Sequence, residues 1–500
     1  MFQKILIANR GEIAVRIART VQAMGIRAAA VYSDPDARAM HVRCADEAWS
    51  LGGASAGESY LCGERIIDIA RACGADAIHP GYGFLSENAA FAEKCAEAGI
   101  TFIGPPARVI AAMGDKVTAR QLMTDAGVPV VAGATIAPDA GEQDIRALAA
   151  GIGYPVLVKA VAGGGGKGMR VVRDASELGA LAGAARREAA GAFGDDRIFL
   201  EKYLDAPRHI EFQVLGDRSG RVVHCFEREC SIQRRHQKII EESPAPGLDD
   251  DLRGRMGQAA VQAARAIGYS NTGTVEFLVD GSGAFYFLEV NTRLQVEHPV
   301  TEAVTGLDLV RLGVQVAAGN LLPFVQSDLR TSGHAVECRV YAEDPAHNDL
   351  PSVGRIECYV PPDGPGVRVD SGVEQGDEVA VYYDPMIAKV ITHDRTRDNA
   401  LTRMIWALDR FAILGVTTNV SLLRRIVVDA DFQSGRIDTG FLDRVDEPGG
   451  GEGPVPRQAW LAAAAALANG ATDDTGRHPA RCDVASRHSP WHTGGAWRAT

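Results

Sequence analysis

Apolar and polar positions alternate along this chain with two distinct periods, and these periods predict its elements. Lys4–Ala8 (KILIA) is a short unbroken apolar run, which predicts a buried strand. From Gly11 to Met24 the period lengthens to that of an amphipathic helix, with Ile13, Ile17 and Val21 on one face. Arg27–Tyr32 returns to a strand pattern, and Ala77-Ile78-His79 and Thr101–Gly104 continue it. Strands alternating with helices predict an α/β domain with a parallel sheet over residues 1–114. A second unit, 115–204, centres on the strand Pro155–Ala160, a glycine run and the strand Met169–Val172. A third, 205–446, includes strands at Ala335–Tyr341 and Ala388–Thr392. Residues 447–500 open with a Gly/Pro-rich linker and hold one short Ala-rich segment, Trp460–Ala468, too little patterning for a domain.

The most informative pattern lies in the third unit. Thr274–Val279 and Phe285–Asn291 are aromatic and β-branched runs joined by Asp280-Gly281-Ser282-Gly283, a hairpin signal. Pairing Asp280 with Phe285 sets Glu276 opposite Glu289. Opposed like charges destabilise a hairpin, so the pattern predicts a cation between them. Glu289, Asn291, Arg293, Gln295 and Glu297 share one face for as long as the chain stays extended. That face offers oxygen ligands for a hard cation, an arginine for an anion and a further carboxylate as base.

Composition narrows the function classes. A net charge of −12 argues against a general nucleic-acid or acidic-membrane binder, and no apolar run approaches the length of a membrane span. The nine cysteines include no CxxC pair, with Cys225 and Cys230 the closest, which suits reduced thiols in the cytoplasm. Neither common nucleotide motif applies to the glycine run 163–168: a strand, not a helix, follows it, and Gly168 stands where a P-loop needs Ser or Thr. What remains is a hairpin tip whose backbone N–H groups could close over phosphates, with Lys159 on the strand before it.

Lys116 in MGDK, Lys159 in VLVKA, the GGGGKGM loop, Glu201-Lys202-Tyr203-Leu204 and the Glu276/Glu289/Asn291 set resemble the ATP-grasp superfamily. More narrowly, IANRGEIAVRI, HPGYGFLSEN, FIGPP, RHIEFQVLGD, RECSIQRRHQKIIEESP, FLEVNTRLQVEHPVTE, ECRVYAEDP and YYDPMIAKV resemble biotin carboxylase, in order, over residues 1–446. The resemblance implies a three-domain ATP-grasp fold: a Rossmann-like parallel-sheet domain, a mobile glycine-loop lid and a C-terminal mixed-sheet domain. It implies that Lys116, Lys159, Gly165 and Gly166 contact the phosphates of ATP, that Glu201, Lys202 and Leu204 receive the adenine, and that His209 and His236 lie near the nucleotide. Glu276, Glu289 and Asn291 would hold Mg²⁺ or Mn²⁺. Bicarbonate would sit by Lys238, Arg293, Gln295 and the Val296 backbone, with Glu297 as base. Arg339 would stabilise the biotin enolate, and Tyr82 would lie on the biotin side.

The expected partners are a biotinylated carrier domain, a carboxyltransferase subunit and a second copy of the chain. No biotin-attachment sequence occurs, and the Trp-rich tail resembles the region after biotin carboxylase in acyl-CoA carboxylase α-subunits, so biotin is expected from a missing C-terminal domain or in trans. Two other readings compete: an ATP-grasp ligase with a different acceptor, and a non-catalytic structural subunit. Arg293–Glu297 and the RRHQK block favour bicarbonate over the first. The second predicts a missing base, metal ligand or phosphate lysine, and none is missing.

Overall fold

The computed structural model describes residues 1–137, 140–161, 169–234 and 237–445. Strands β1 (Lys4–Ile7), β2 (Arg27–Tyr32), β3 (Glu47–Ser50), β4 (Ala77–His79) and β5 (Thr101–Phe102) pair in parallel in the order β3-β2-β1-β4-β5. Their apolar residues are covered on both faces, as parallel strands require. Helix α1 (Gly11–Ala23) lies on one face, with Ile13, Ile17 and Val21 at most 1% exposed. The strand order reverses between β1 and β4, which opens a crevice at their carboxyl ends.

The second sheet is antiparallel: β6 (Gly133–Thr135), β7 (Val156–Ala160), β8 (Arg170–Val172) and β9 (Ile198–Lys202), in the order β6-β9-β7-β8. Val156, Val158, Val172 and Leu200 pack with residues such as Ile145 and Ala185 from the helices Glu142–Ile152 and Leu178–Phe193. The glycine run between β7 and β8 lies outside the described residues.

The third sheet carries the site. It comprises β10 (Arg208–Gly216), β11 (Val222–Arg234), β12 (Gln237–Ser243), β13 (Asn271–Val279), β14 (Phe285–Asn291), β15 (His334–Tyr341) and the strands Met386–Asp394 and Val367–Ser371. The order is β14-β13-β10-β11-β12-β15, then Met386–Asp394, then Val367–Ser371, antiparallel throughout. Outside the named strands, Val130 forms an isolated parallel bridge with Phe287 at the β14 edge. Alternation divides the faces. Ile210, Phe212, Val275, Phe277 and Phe287 pack on the helix Asp250–Ala266, while Glu211 and Glu276 point the other way, into a cleft. No helix among the described residues is long and apolar enough to cross a membrane. The eight cysteines among them are free thiols.

Candidate active site

The hairpin closes differently from the simplest pairing. Asp280 N–H donates to Ala284 O (2.9 Å), and Asp280 Oδ1 accepts from the Ser282 amide (2.9 Å) and hydroxyl (2.6 Å), so Asp280 belongs to the turn. The tip therefore pairs Val279, not Asp280, with Phe285. A bulge at Leu288 takes up the extra residue, and beyond it Glu276 faces Glu289 as the sequence implied. The same bulge lets Phe285, Phe287 and Val290 all enter the apolar layer while Glu289 and Asn291 turn to the cleft.

Cross-strand register extends that pair into a row, Glu289–Glu276–Glu211–Arg228, over four adjacent strands. Three carboxylates in line repel one another, and the protein's own cations meet them. Lys238 reaches from β12 to Glu276 Oε1 (2.7 Å), Glu297 Oε1 (2.7 Å) and Glu211. His209 Nε2 lies 2.9 Å from Glu276 Oε2. Arg228, fully buried, donates to Glu211 (2.5 Å), Gln213 (2.8 Å), Thr301 (2.9 Å), Thr274 (3.0 Å) and Gln295 (2.6 Å). Burial alone would raise the Glu276 carboxyl, but Lys238 and His209 outweigh it and hold it well below the ordinary carboxylate range. Glu289 differs. It is exposed at the cleft and has no hydrogen-bond partner among the described residues, and desolvation, then the charges of Glu276 and Glu87, raise its carboxyl.

The chain leaves the sheet at Asn291, so strand alternation does not reach Arg293, Gln295 and Glu297. They converge by another route, a turn leading into the helix His298–Thr305. Asn291 Nδ2 and Gln295 Nε2 both donate to Glu276 Oε1 (2.7 and 2.8 Å). Arg293 donates to Asn291 Oδ1 (3.0 Å) and Glu87 Oε2 (2.8 Å). Glu297, 2% exposed, accepts from Lys238 and from Arg339 Nη2 (3.0 Å), and Arg339 Nε donates to Glu241 Oε1 (2.6 Å). Burial pushes Glu297 up, but Lys238, Arg339 and Arg228 bring it below the ordinary value and keep it ionised. Glu241, also fully buried, is pushed up to about 7.

On the lid side, Lys159 Nζ lies 2.5 Å from Glu201 Oε2, and Arg120 is 3.2 Å from Glu201 Oε1. Lys202 Nζ donates to the carbonyls of Gly153 (3.0 Å) and Tyr154 (2.7 Å). Leu204 is half-buried just beyond β9. Lys116 is lowered by burial and then by Lys159. A polyanion placed between two such cations would relieve their repulsion. Tyr82 donates to Glu12 at the crevice of the first sheet. Gly165, Gly166 and His236 lie outside the described residues. Arg228, Glu211, Glu87 and Glu241 were missed by the sequence reading; alternation from His209 through Glu211 to Gln213 was the available signal for one of them.

Three family models match in succession: the biotin carboxylase N-terminal domain over residues 1–110, the ATP-binding domain of the carbamoyl-phosphate synthase L chain over 115–325, and the biotin carboxylase C-terminal domain over 337–444. The chain is 50% identical over 442 residues to a biotin carboxylase of Halalkalibacterium halodurans, covering 88% of this chain and 97% of that protein. It is 49% identical over 467 residues to a mitochondrial methylcrotonoyl-CoA carboxylase α subunit of Dictyostelium discoideum, covering 93% of this chain and 65% of the relative. Against the corresponding rat subunit it spans 61% of the length. Among solved structures, the biotin carboxylase domain dimer of Hydrogenobacter thermophilus 2-oxoglutarate carboxylase, in complex with MgADP, ADP and bicarbonate, matches with a TM-score of 0.86 at 47% identity, covering 89% of this chain and 99% of that one. The Campylobacter jejuni biotin carboxylase matches with the same TM-score, identity and coverage. Matched along almost all of its described length in both sequence and fold, the chain belongs to the biotin carboxylase family of ATP-dependent ligases.

Proposed function

We propose that this chain carboxylates the ureido nitrogen of biotin, using ATP and bicarbonate, as the first half-reaction of a biotin-dependent acyl-CoA carboxylase. One observation carries the reading: Lys238 and Arg339 converge on the buried, ionised Glu297 beside the Glu276–Glu289 pair. That arrangement sets a base and two cations next to a cluster of oxygen ligands.

Lys116, Lys159, Gly165 and Gly166 contact the ATP phosphates; the Glu201–Leu204 segment receives the adenine, and His209 and His236 serve the nucleotide. Glu276, Glu289 and Asn291 fit a hard dication, because the Glu289 carboxylate is uncommitted and the set supplies oxygens only. Bound there, Mg²⁺ or Mn²⁺ would neutralise phosphate charge. Arg293, Gln295, Lys238 and the Val296 backbone hold bicarbonate, and Glu297 takes its proton. A bicarbonate oxygen then bonds to the γ-phosphorus as the bridging P–O bond breaks, and ADP leaves with that electron pair. Carboxyphosphate splits to CO₂ and phosphate. Phosphate takes the ureido N–H proton, Arg339 stabilises the enolate oxygen on the Tyr82 side, and the nitrogen bonds to CO₂. Positioning and charge stabilisation do most of this.

In the whole assembly, biotin arrives on a carrier domain, a carboxyltransferase subunit takes the product, and two copies of this chain pair. The free thiols of the eight described cysteines support a reducing compartment, which we take to be the cytoplasm. The test is ADP release by the chain with Mg-ATP and bicarbonate, with and without free biotin. Bicarbonate-dependent turnover that rises with biotin, with carboxybiotin formed, supports the reading. Turnover indifferent to both would favour another ATP-grasp acceptor.

A further inference from the structure

Lys389 is a lysine inside an apolar strand, MIAKVI, and it is completely buried. A buried ammonium must be paired or it deprotonates. Its neighbours in register are Arg339 on β15 and Asp370 on Val367–Ser371. Nζ donates to the carbonyl of Val296 (2.7 Å), lies 3.1 Å from Glu12 Oε1 and stands 4.0 Å from Asp370 Oδ2. Burial works against its charge, but Glu12, Glu337 and Asp370 more than offset this.

Glu12 is the second residue of α1, at the carboxyl end of β1, and Tyr82 follows β4. The two stand on either side of the point where strand order reverses, where open α/β sheets ordinarily take a ligand. Here Asn9 Nδ2 ties the two loops together through the carbonyls of Pro80 and Tyr82 (2.7 Å each), Tyr82 donates to Glu12, and Lys389 enters from the third sheet. A second close approach fixes this junction: a Cβ on Gly372 would lie 2.5 Å from Glu12 N and 2.8 Å from Gly11 Cα.

We propose that Lys389 is a positioning residue for the bicarbonate half of the site: held in the crevice of the N-terminal sheet, it fixes the Val296 carbonyl and with it the turn bearing Arg293, Gln295 and Glu297. The inference rests on the reading of residues 293–297 as the bicarbonate site. It makes the first sheet a contributor to bicarbonate recognition, although that sheet supplies no side chain to it.

The test uses the full chain with Lys389→Met, and also Glu12→Gln combined with Lys389→Met so that the carboxylate nearest Nζ is not left without its cation. Losing a hydrogen bond from a charged donor gives an expected rise in KM for bicarbonate of about tenfold or more, with the Mg-ATP dissociation constant within about twofold of the parent. The double variant should recover thermal stability and keep the bicarbonate defect. A double variant with the parent's KM for bicarbonate would reduce Lys389 to a counter-ion of Glu12 and overturn the proposal, as would a parallel loss of Mg-ATP affinity or failure of both variants to fold. A parent chain without bicarbonate-dependent turnover would instead overturn the functional reading, and this inference with it.

Discussion

Replacing Glu297 by glutamine removes the proposed base while changing the shape of the site little. The carboxylate accepts from Lys238 at 2.7 Å and Arg339 at 3.0 Å. An amide keeps one accepting oxygen and turns its NH₂ towards the other cation, so one charge-assisted bond is lost, about 1.5–3 kcal/mol. Neither cation is stranded, because Lys238 keeps Glu211 and Glu276 and Arg339 keeps Glu241. The repulsion between Glu297 and Glu211 disappears as well, so the net stability loss should fall at or below the low end of that range. Turnover should fall far more, by roughly 10²–10⁴, the usual contribution of a positioned base. At about 1.4 kcal/mol per decade this is roughly 3–5 kcal/mol of barrier, larger than the change in folding energy.

The assay is bicarbonate-dependent ADP release, with Mg-ATP binding measured in parallel by calorimetry. Because Glu297 is held below the ordinary carboxylate range, it is ionised throughout the neutral region, and the loss should be constant between about pH 6 and 8. Turnover within tenfold of the parent would exclude Glu297 as the base. A loss of Mg-ATP affinity matching the loss of turnover would show that the substitution had disrupted the cluster.

Arg339→Ala should depress biotin-dependent turnover at least about a hundredfold and leave biotin-independent ATP cleavage within about tenfold; equal losses would move Arg339 to the phosphoryl step. Glu241, already raised to about 7, would then simply hold its proton, so the variant should fold. Lys238→Met leaves Glu211, Glu276 and Glu297 buried without their shared ammonium, at a cost of about 3–5 kcal/mol near neutral pH. In the parent, Glu276 is depressed, so its stabilisation is present above the ordinary carboxylate pKa and lost as pH falls through its folded value. In the variant burial dominates and the folded pKa rises above the unfolded one, so the deficit should shrink as pH falls towards 5; melting curves showing a widening gap would contradict the cluster's charge assignment. Gly372→Ala should cost about 1–3 kcal/mol by overpacking the Gly11–Glu12 junction, read as a lowered melting temperature. An unchanged melt would show that the junction has slack.

Much of the architecture was legible because it depends on local period. Lys4–Ile7, Arg27–Tyr32, Ala77–His79 and Phe285–Asn291 are apolar or alternating runs bounded by turn residues, and they form strands where the pattern put them. Glu47–Ser50, with only Ala48 and Trp49 apolar, gave no such signal, and it joins the sheet through its neighbour β2. The Glu276–Glu289 opposition was legible through one hairpin. What surrounds it depends on strand order, which local period does not encode: Arg228 and Lys238, from the consecutive strands β11 and β12, and Arg339, from β15 about a hundred residues later, meet the Glu276–Glu297 cluster through that order. Lys389 carried a usable clue, a charge within an apolar run.

The bulge at Leu288 divides the hairpin into two stretches whose registers differ by one residue. A residue gained or lost in the Asp280–Ala284 tip falls in the turn, outside both stretches. Loop-length variation there should therefore be tolerated without moving Glu289 or Asn291. Drawing Leu288 into the ladder, with no bulge, would impose strict alternation through it and set Glu289 on the same side as Phe287, against the helix Asp250–Ala266. The placing of one apolar residue outside the ladder thus decides whether the far carboxylate of the row faces the cleft or the core.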